Sequence, residues 1–115
     1  MKRTGLNPKE REAIKKFILY LHSKKLPLEQ VLLFGSKARG EGRETSDIDV
    51  LAIVSSDGGE VRDLIYGGVA QVLSETGNYL SVKVFEKGEF NKLVRLETPF
   101  IKNVLNDSQV LWTRK

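Results

Sequence analysis

Two aspartates one residue apart, Asp47 and Asp49, open onto an unbroken apolar run, Val50-Leu51-Ala52-Ile53-Val54. In an extended strand, residues two apart leave the same face roughly 6–7 Å from each other. Carboxylates at that separation repel and resist the loss of water. A divalent cation removes the penalty, and Mg2+ is typically held by one or two carboxylates together with substrate phosphates. Mn2+ suits the same oxygen ligands. Upstream, Gly35 and Ser36 end another apolar run, Val31-Leu32-Leu33-Phe34. Glycine allows close backbone approach and unusual dihedrals. Ser36 offers a hydroxyl and an N–H where a helical turn begins, a place that favours an anion. Lys37 and Arg39 add positive charge beside it. The chemistry is that of a phosphate cradle, although no Walker loop is present, because Gly40 is followed by Glu41 rather than by Lys-Ser/Thr. A bare Asp-x-Asp is most often a turn cap next to an exposed strand residue. The Gly-Ser turn ahead of it and the apolar strand behind it favour a site.

The elements that must position these residues are legible from periodicity. Asn7, Pro8 and Glu10 predict a capped helix start. Ile14, Phe17, Ile18 and Leu21 then form one apolar stripe on a helix running to about Lys24, closed by Pro27. Val31–Phe34 reads as a buried strand, 36–46 as a polar connection opening with one or two helical turns, and Asp47–Val54 as a central strand apolar on both faces. A second amphipathic helix carries Val61, Leu64, Ile65, Val69, Val72 and Leu73, with Gly67-Gly68 weakening its interior and Gly77-Asn78 ending it. Tyr79–Phe85 alternates, with Leu80, Val82 and Val84 on one face and Ser81, Lys83 and Phe85 on the other. Phe90, Leu93 and Val94 start a helix that Pro99 interrupts, and Val110–Trp112 is a short last strand. Phe90 and Phe100 are expected to pack, Trp112 to serve the core or an interface, and His22 to be solvated. The fold expected is α/β (α+β), a mixed β-sheet flanked by helices, in a single domain over 1–115.

Gly35-Ser36-x-Ala38-Arg39-Gly40 followed by Ser46-Asp47-x-Asp49-Val50 resembles the motif of minimal nucleotidyltransferases in the DNA polymerase β superfamily. The motif covers about 20 residues, and the order of strands and helices in the rest of the chain is similar to the small catalytic domain of that family. The resemblance implies that Gly35 and Ser36 bind a nucleoside triphosphate, that Arg39 braces the loop or the phosphates with Lys37 beside it, and that Asp47 and Asp49 hold the metal. It implies transfer of a nucleotidyl group, AMP from ATP, with pyrophosphate leaving. Some members are antitoxins that adenylylate a small helical HEPN-domain partner. Active members also supply a third carboxylate from a neighbouring strand. Here the matching strand puts Ser81 in that position, with Lys83 next to it and no Asp or Glu on that face. Serine is a poor metal ligand, and a lysine there could neutralise an aspartate and displace a metal. Glu86 and Glu89 would need a bend to reach in. The alternative to an active enzyme is therefore a catalytically weakened module that binds nucleotide or a partner.

Composition narrows the field. A chain of 115 residues, 40% hydrophobic and 30% charged, is an ordinary globular balance, which argues against disorder. With no cysteine, disulfide scaffolds, Cys-ligated zinc and thiol nucleophiles are excluded, and one histidine excludes a His-cluster metal site. The absence of cysteine is compatible with a reducing cytoplasm, where the protein is expected. No apolar run approaches 18 residues, so no membrane span is expected, and no secretory leader follows the basic N-terminus. The net charge of +4 suits a phosphate-bearing partner and leaves nucleic acid open as one. A domain this small has no helical appendage for the acceptor, which must then be presented by a partner or by a second copy in a homo-oligomer.

Overall fold

A computed structural model describes residues 4–41, 47–56 and 58–114. The elements run α1 (Pro8–Ser23), β1 (Leu28–Phe34), α2 (Gly35–Ala38), β2 (Ile48–Val54), α3 (Gly59–Thr76), β3 (Leu80–Glu86), α4 (Lys87–Leu96), α5 (Pro99–Asp107) and β4 (Gln109–Thr113). The strands form one sheet in the order β3-β2-β1-β4. β1 is antiparallel to β2 and to β4, whereas β2 and β3 are parallel, joined through the crossover helix α3. The sheet is therefore mixed and flanked by helices, as expected.

Helices cover both faces. Ala13, Ile14, Phe17 and Leu21 of α1 and Ile65, Val69 and Val72 of α3 pack on Val31, Leu33, Val50, Ala52, Val54, Leu80, Val82 and Val84. On the opposite face Phe90 of α4 and Ile101 and Val104 of α5 close over Leu32, Phe34, Leu51 and Ile53. β2 is thus buried on both sides, which is why it lacks alternation. The alternation of β3 sorts as its sequence predicts, with Leu80, Val82 and Val84 in the α1/α3 layer.

Three local expectations are revised. β1 begins at Leu28, three residues early, because Glu29 is held by Lys87 at 3.2 Å and Arg114 at 2.7 Å, so polar residues extend the ladder. Gly67-Gly68 does not interrupt α3, which runs unbroken from Gly59 to Thr76, and it lets α1 approach: a Cβ on Gly68 would lie 2.6 Å from Tyr20 Cδ1. Asp47 falls just outside β2, which starts at Ile48. The capping box forms as read, Asn7 Oδ1 accepting from the Glu10 N–H at 2.8 Å and Glu10 Oε1 from the Asn7 N–H at 2.9 Å. His22 is exposed and meets Trp112 edge-on at 4.7 Å, while Trp112 packs on the core. Phe90 is buried and Phe100 stands half exposed against Phe34 and Phe85.

Candidate active site

The site is assembled where β1 ends and β2 begins. Phe34 pairs with Asp49, so the chain leaving β1 turns directly beside the aspartate. Gly35 takes a left-handed φ of +76° there. A Cβ at Gly35 would stand 2.5 Å from Asp49 Oδ2, so the carboxylate lies against bare backbone that only glycine leaves open. Glycine is required twice, by dihedral and by space.

α2 is a single turn of four residues with no side-chain N-cap. Helix nucleation is unfavourable, so so short a helix cannot hold itself. Distant parts of the chain hold it instead. The Lys37 ammonium, 1% exposed, donates to Glu10 Oε1 at 3.1 Å and sits 3.0 Å from Oε2. The Gly5 N–H donates to the Lys37 carbonyl at 2.7 Å, and Gln109 Nε2 to that of Ala38 at 2.7 Å. Arg39 bridges Glu41 and Asp107 of α5, both at 3.2 Å. Lys37 therefore differs from the expectation of a phosphate ligand: its ammonium is committed to Glu10, because burying an ammonium requires a charged partner. Arg39 takes the bracing role. Ser36 is half buried at the start of the turn.

Asp49 is half buried and Asp47 exposed. The Asp49 carboxyl is pushed above the usual carboxylate range, first by burial and next by the charge of Asp47, against an opposing pull from Lys83. Asp47 is thus close enough to be felt, which brings the predicted pair together. Parallel pairing sets Ser81 opposite Asp49 and Lys83 opposite Leu51. Paired residues share a face, so Ser81 does stand beside Asp49 where a third ligand would be. Among the described residues no group of three or more His, Cys, Asp and Glu could hold a metal. Glu86 and Glu89 do not reach in. Glu86 pairs with Val54 at the far end of β3, about 17 Å along the strand, and there accepts the Gly88 N–H. Two carboxylates remain, which is a donor set that fits one Mg2+ completed by phosphate oxygens.

Sequence reasoning did not anticipate Glu10 as the partner of Lys37, nor Phe100, whose ring centroid is 6.0 Å from Lys83 Nζ beside the site. The lone buried-side carboxylate of a capping box was the available signal for the first; the second has none, since α5 meets the sheet only in the tertiary structure. Arg43 and Ser46 lie outside the described residues.

The model of the family described as "Nucleotidyltransferase domain" matches residues 14–111. A protein of Methanocaldococcus jannaschii, provisionally named a protein adenylyltransferase, is 36% identical over 104 residues, covering 90% of this chain and 98% of its own. Among solved structures, a toxin–antitoxin complex with AMP-PNP superposes with a TM-score of 0.57 at 19% identity, over 88% of this chain and 73% of the other. A tri-AMPylated Shewanella oneidensis HEPN toxin in complex with its MNT antitoxin gives a TM-score of 0.51 at 17% identity, over 92% and 73%. These two share the fold. With the family match spanning most of its length and a relative 36% identical over 90% of it, the chain belongs to the nucleotidyltransferase domain family, within the DNA polymerase β superfamily.

Proposed function

We propose that the protein transfers AMP from ATP to a hydroxyl of a partner protein, using one Mg2+ or Mn2+ held by Asp47 and Asp49. The observation that carries this reading is the Asp49 carboxylate seated against the Gly35 backbone, which brings a metal ligand and a phosphate-binding turn into one place. Gly35 and Ser36 receive the terminal phosphates through backbone N–H groups and the hydroxyl. Arg39, tied to Asp107, keeps the end of the turn in position, and Lys37 anchors the turn from beneath. A bound divalent ion would neutralise the aspartates and the phosphate oxygens as charge develops. In the transfer itself an acceptor oxygen bonds to the α-phosphorus, the bond to the bridging oxygen breaks, pyrophosphate departs, and the acceptor proton passes to solvent. Such a reaction depends mainly on positioning and charge.

The M. jannaschii relative, by its name, supports a protein acceptor. The fold neighbours support a small helical HEPN-domain protein as that acceptor, encoded as the toxin of a pair. ATP as substrate and the absence of cysteine fit a cytoplasmic protein. The pairing of Ser81 with Asp49 favours a second reading, a weakened enzyme that keeps nucleotide and partner binding but transfers slowly. Incubation with ATP labelled at the α-phosphate, Mg2+ and a HEPN-domain partner separates them. Label should move to the partner with the wild type and not with Asp49→Asn. Binding of Mg2+-ATP without transfer would favour the second reading, and no binding at all would overturn both.

A further inference from the structure

One charged group at the site has no assigned task. Lys83 lies on the face that carries Asp49 and Ser81, two residues beyond Ser81 on the adjacent strand, which makes it the diagonal neighbour of Asp49. It is exposed, and among the described residues no carboxylate lies within 4.0 Å of its ammonium. Its ammonium instead stands 6.0 Å from the ring of Phe100. That ring leans edge-on against Phe34, the residue before the Gly-Ser turn, at 5.6 Å between centroids. A cation over an aromatic face is attracted without being neutralised. Lys83 is therefore parked beside the phosphate turn with its charge still available.

Asp47 and Asp49 balance a single divalent ion. A nucleoside triphosphate brings several further negative charges, and Lys37, the lysine of the turn, is committed to Glu10. We infer that Lys83 is a phosphate-binding residue, its ammonium donating to an oxygen of the nucleotide's phosphates. It thus serves as a fixed second cation on a face with only two carboxylates. An ammonium is a compact charge on a flexible stem and suits that task. On this view Lys83 complements the metal rather than displacing it. The inference rests on the nucleotide reading above.

The test is ATP binding to the whole protein with EDTA present, so that no divalent ion contributes, and again with Mg2+. Lys83→Met should weaken binding in EDTA about tenfold or more, the usual consequence of losing a hydrogen bond between charged groups. Lys83→Arg should retain most of it, and Mg2+ should narrow the gap between Lys83→Met and wild type. Inorganic tripolyphosphate should compete with ATP on the wild type and poorly on Lys83→Met. Lys15→Met removes the same charge from the exposed side of α1, in the layer behind the opposite sheet face, and should change little. Equal binding by wild type and Lys83→Met in EDTA overturns the inference while leaving the nucleotide reading intact. So does equal loss in Lys15→Met, or a wild type that binds only with Mg2+. Failure of the wild type to bind ATP under either condition overturns both.

Discussion

Replacing Gly35 by alanine measures how closely the Gly-Ser turn and the aspartate are joined. Two costs arise there. An L side chain at φ +76° pays the left-handed penalty of about 1–2 kcal/mol. The new Cβ would also stand 2.5 Å from Asp49 Oδ2, 0.9 Å inside the 3.4 Å at which ordinary contact begins. Overpacking of that kind costs about 1–3 kcal/mol more. Gly77, the cap of α3, has the same φ of +76° with nothing within 4 Å of its would-be Cβ, so Gly77→Ala carries the first cost alone. For a chain of this size each kcal/mol lowers Tm by about 4 °C. Thermal melts should therefore show a loss of about 4–8 °C for Gly77→Ala and clearly more for Gly35→Ala. Asp49→Ala deletes Oδ2 and Cγ and leaves only Cβ at 3.5 Å, so in that background Gly35→Ala should cost no more than Gly77→Ala. The shift forced on Asp49 should also weaken Mg2+-ATP binding, which Gly77→Ala leaves alone. Gly35→Ala as mild as Gly77→Ala, or equally costly with and without Asp49, would refute the contact.

The buried pair Glu10–Lys37 should respond quite differently from the exposed braces of the same turn. Lys37→Met, which strands a buried carboxylate, should cost about 3–5 kcal/mol in denaturant melts. Arg39→Ala should cost far less, because that side chain is 40% exposed and water screens its ion pairs. The Glu29 carboxylate is held below the usual glutamate range, chiefly by its bond to Arg114 and then by that to Lys87. Its stabilising effect is therefore complete above the unfolded value of about 4.3 and is lost as pH falls through the lower folded one. Melts across that acid window should slope less steeply for Glu29→Gln than for wild type. Ser81→Asp sets a third carboxylate opposite Asp49. Without metal it should lower stability by up to about 1 kcal/mol, and Mg2+ should restore it with tighter Mn2+ binding by calorimetry. Unchanged metal affinity would argue against Ser81 facing the pair.

What the sequence determined by itself is what neighbouring residues settle among themselves. The Asn7/Glu10 box, the apolar stripe of α1, the alternation of β3 and the Gly-Ser turn before Asp-x-Asp are local patterns, and each reappears in the structure. The facing of Ser81 toward Asp49 was also legible, since strand pleat fixes it once the register is guessed. What a long side chain touches is not local. Lys37 read as a phosphate ligand because it adds positive charge beside the Gly-Ser turn, yet a carboxylate 27 residues earlier claims its charge. Arg39 finds Asp107, 68 residues on, and Gly68 turns from a weak point into the contact that admits Tyr20. Glu86 ends up at the wrong end of its strand to serve the site because β2 and β3 run parallel, a choice made by the crossover through α3. Only the packed fold decides these matters: a buried charge must have a partner, and which partner is within reach depends on how the layers close.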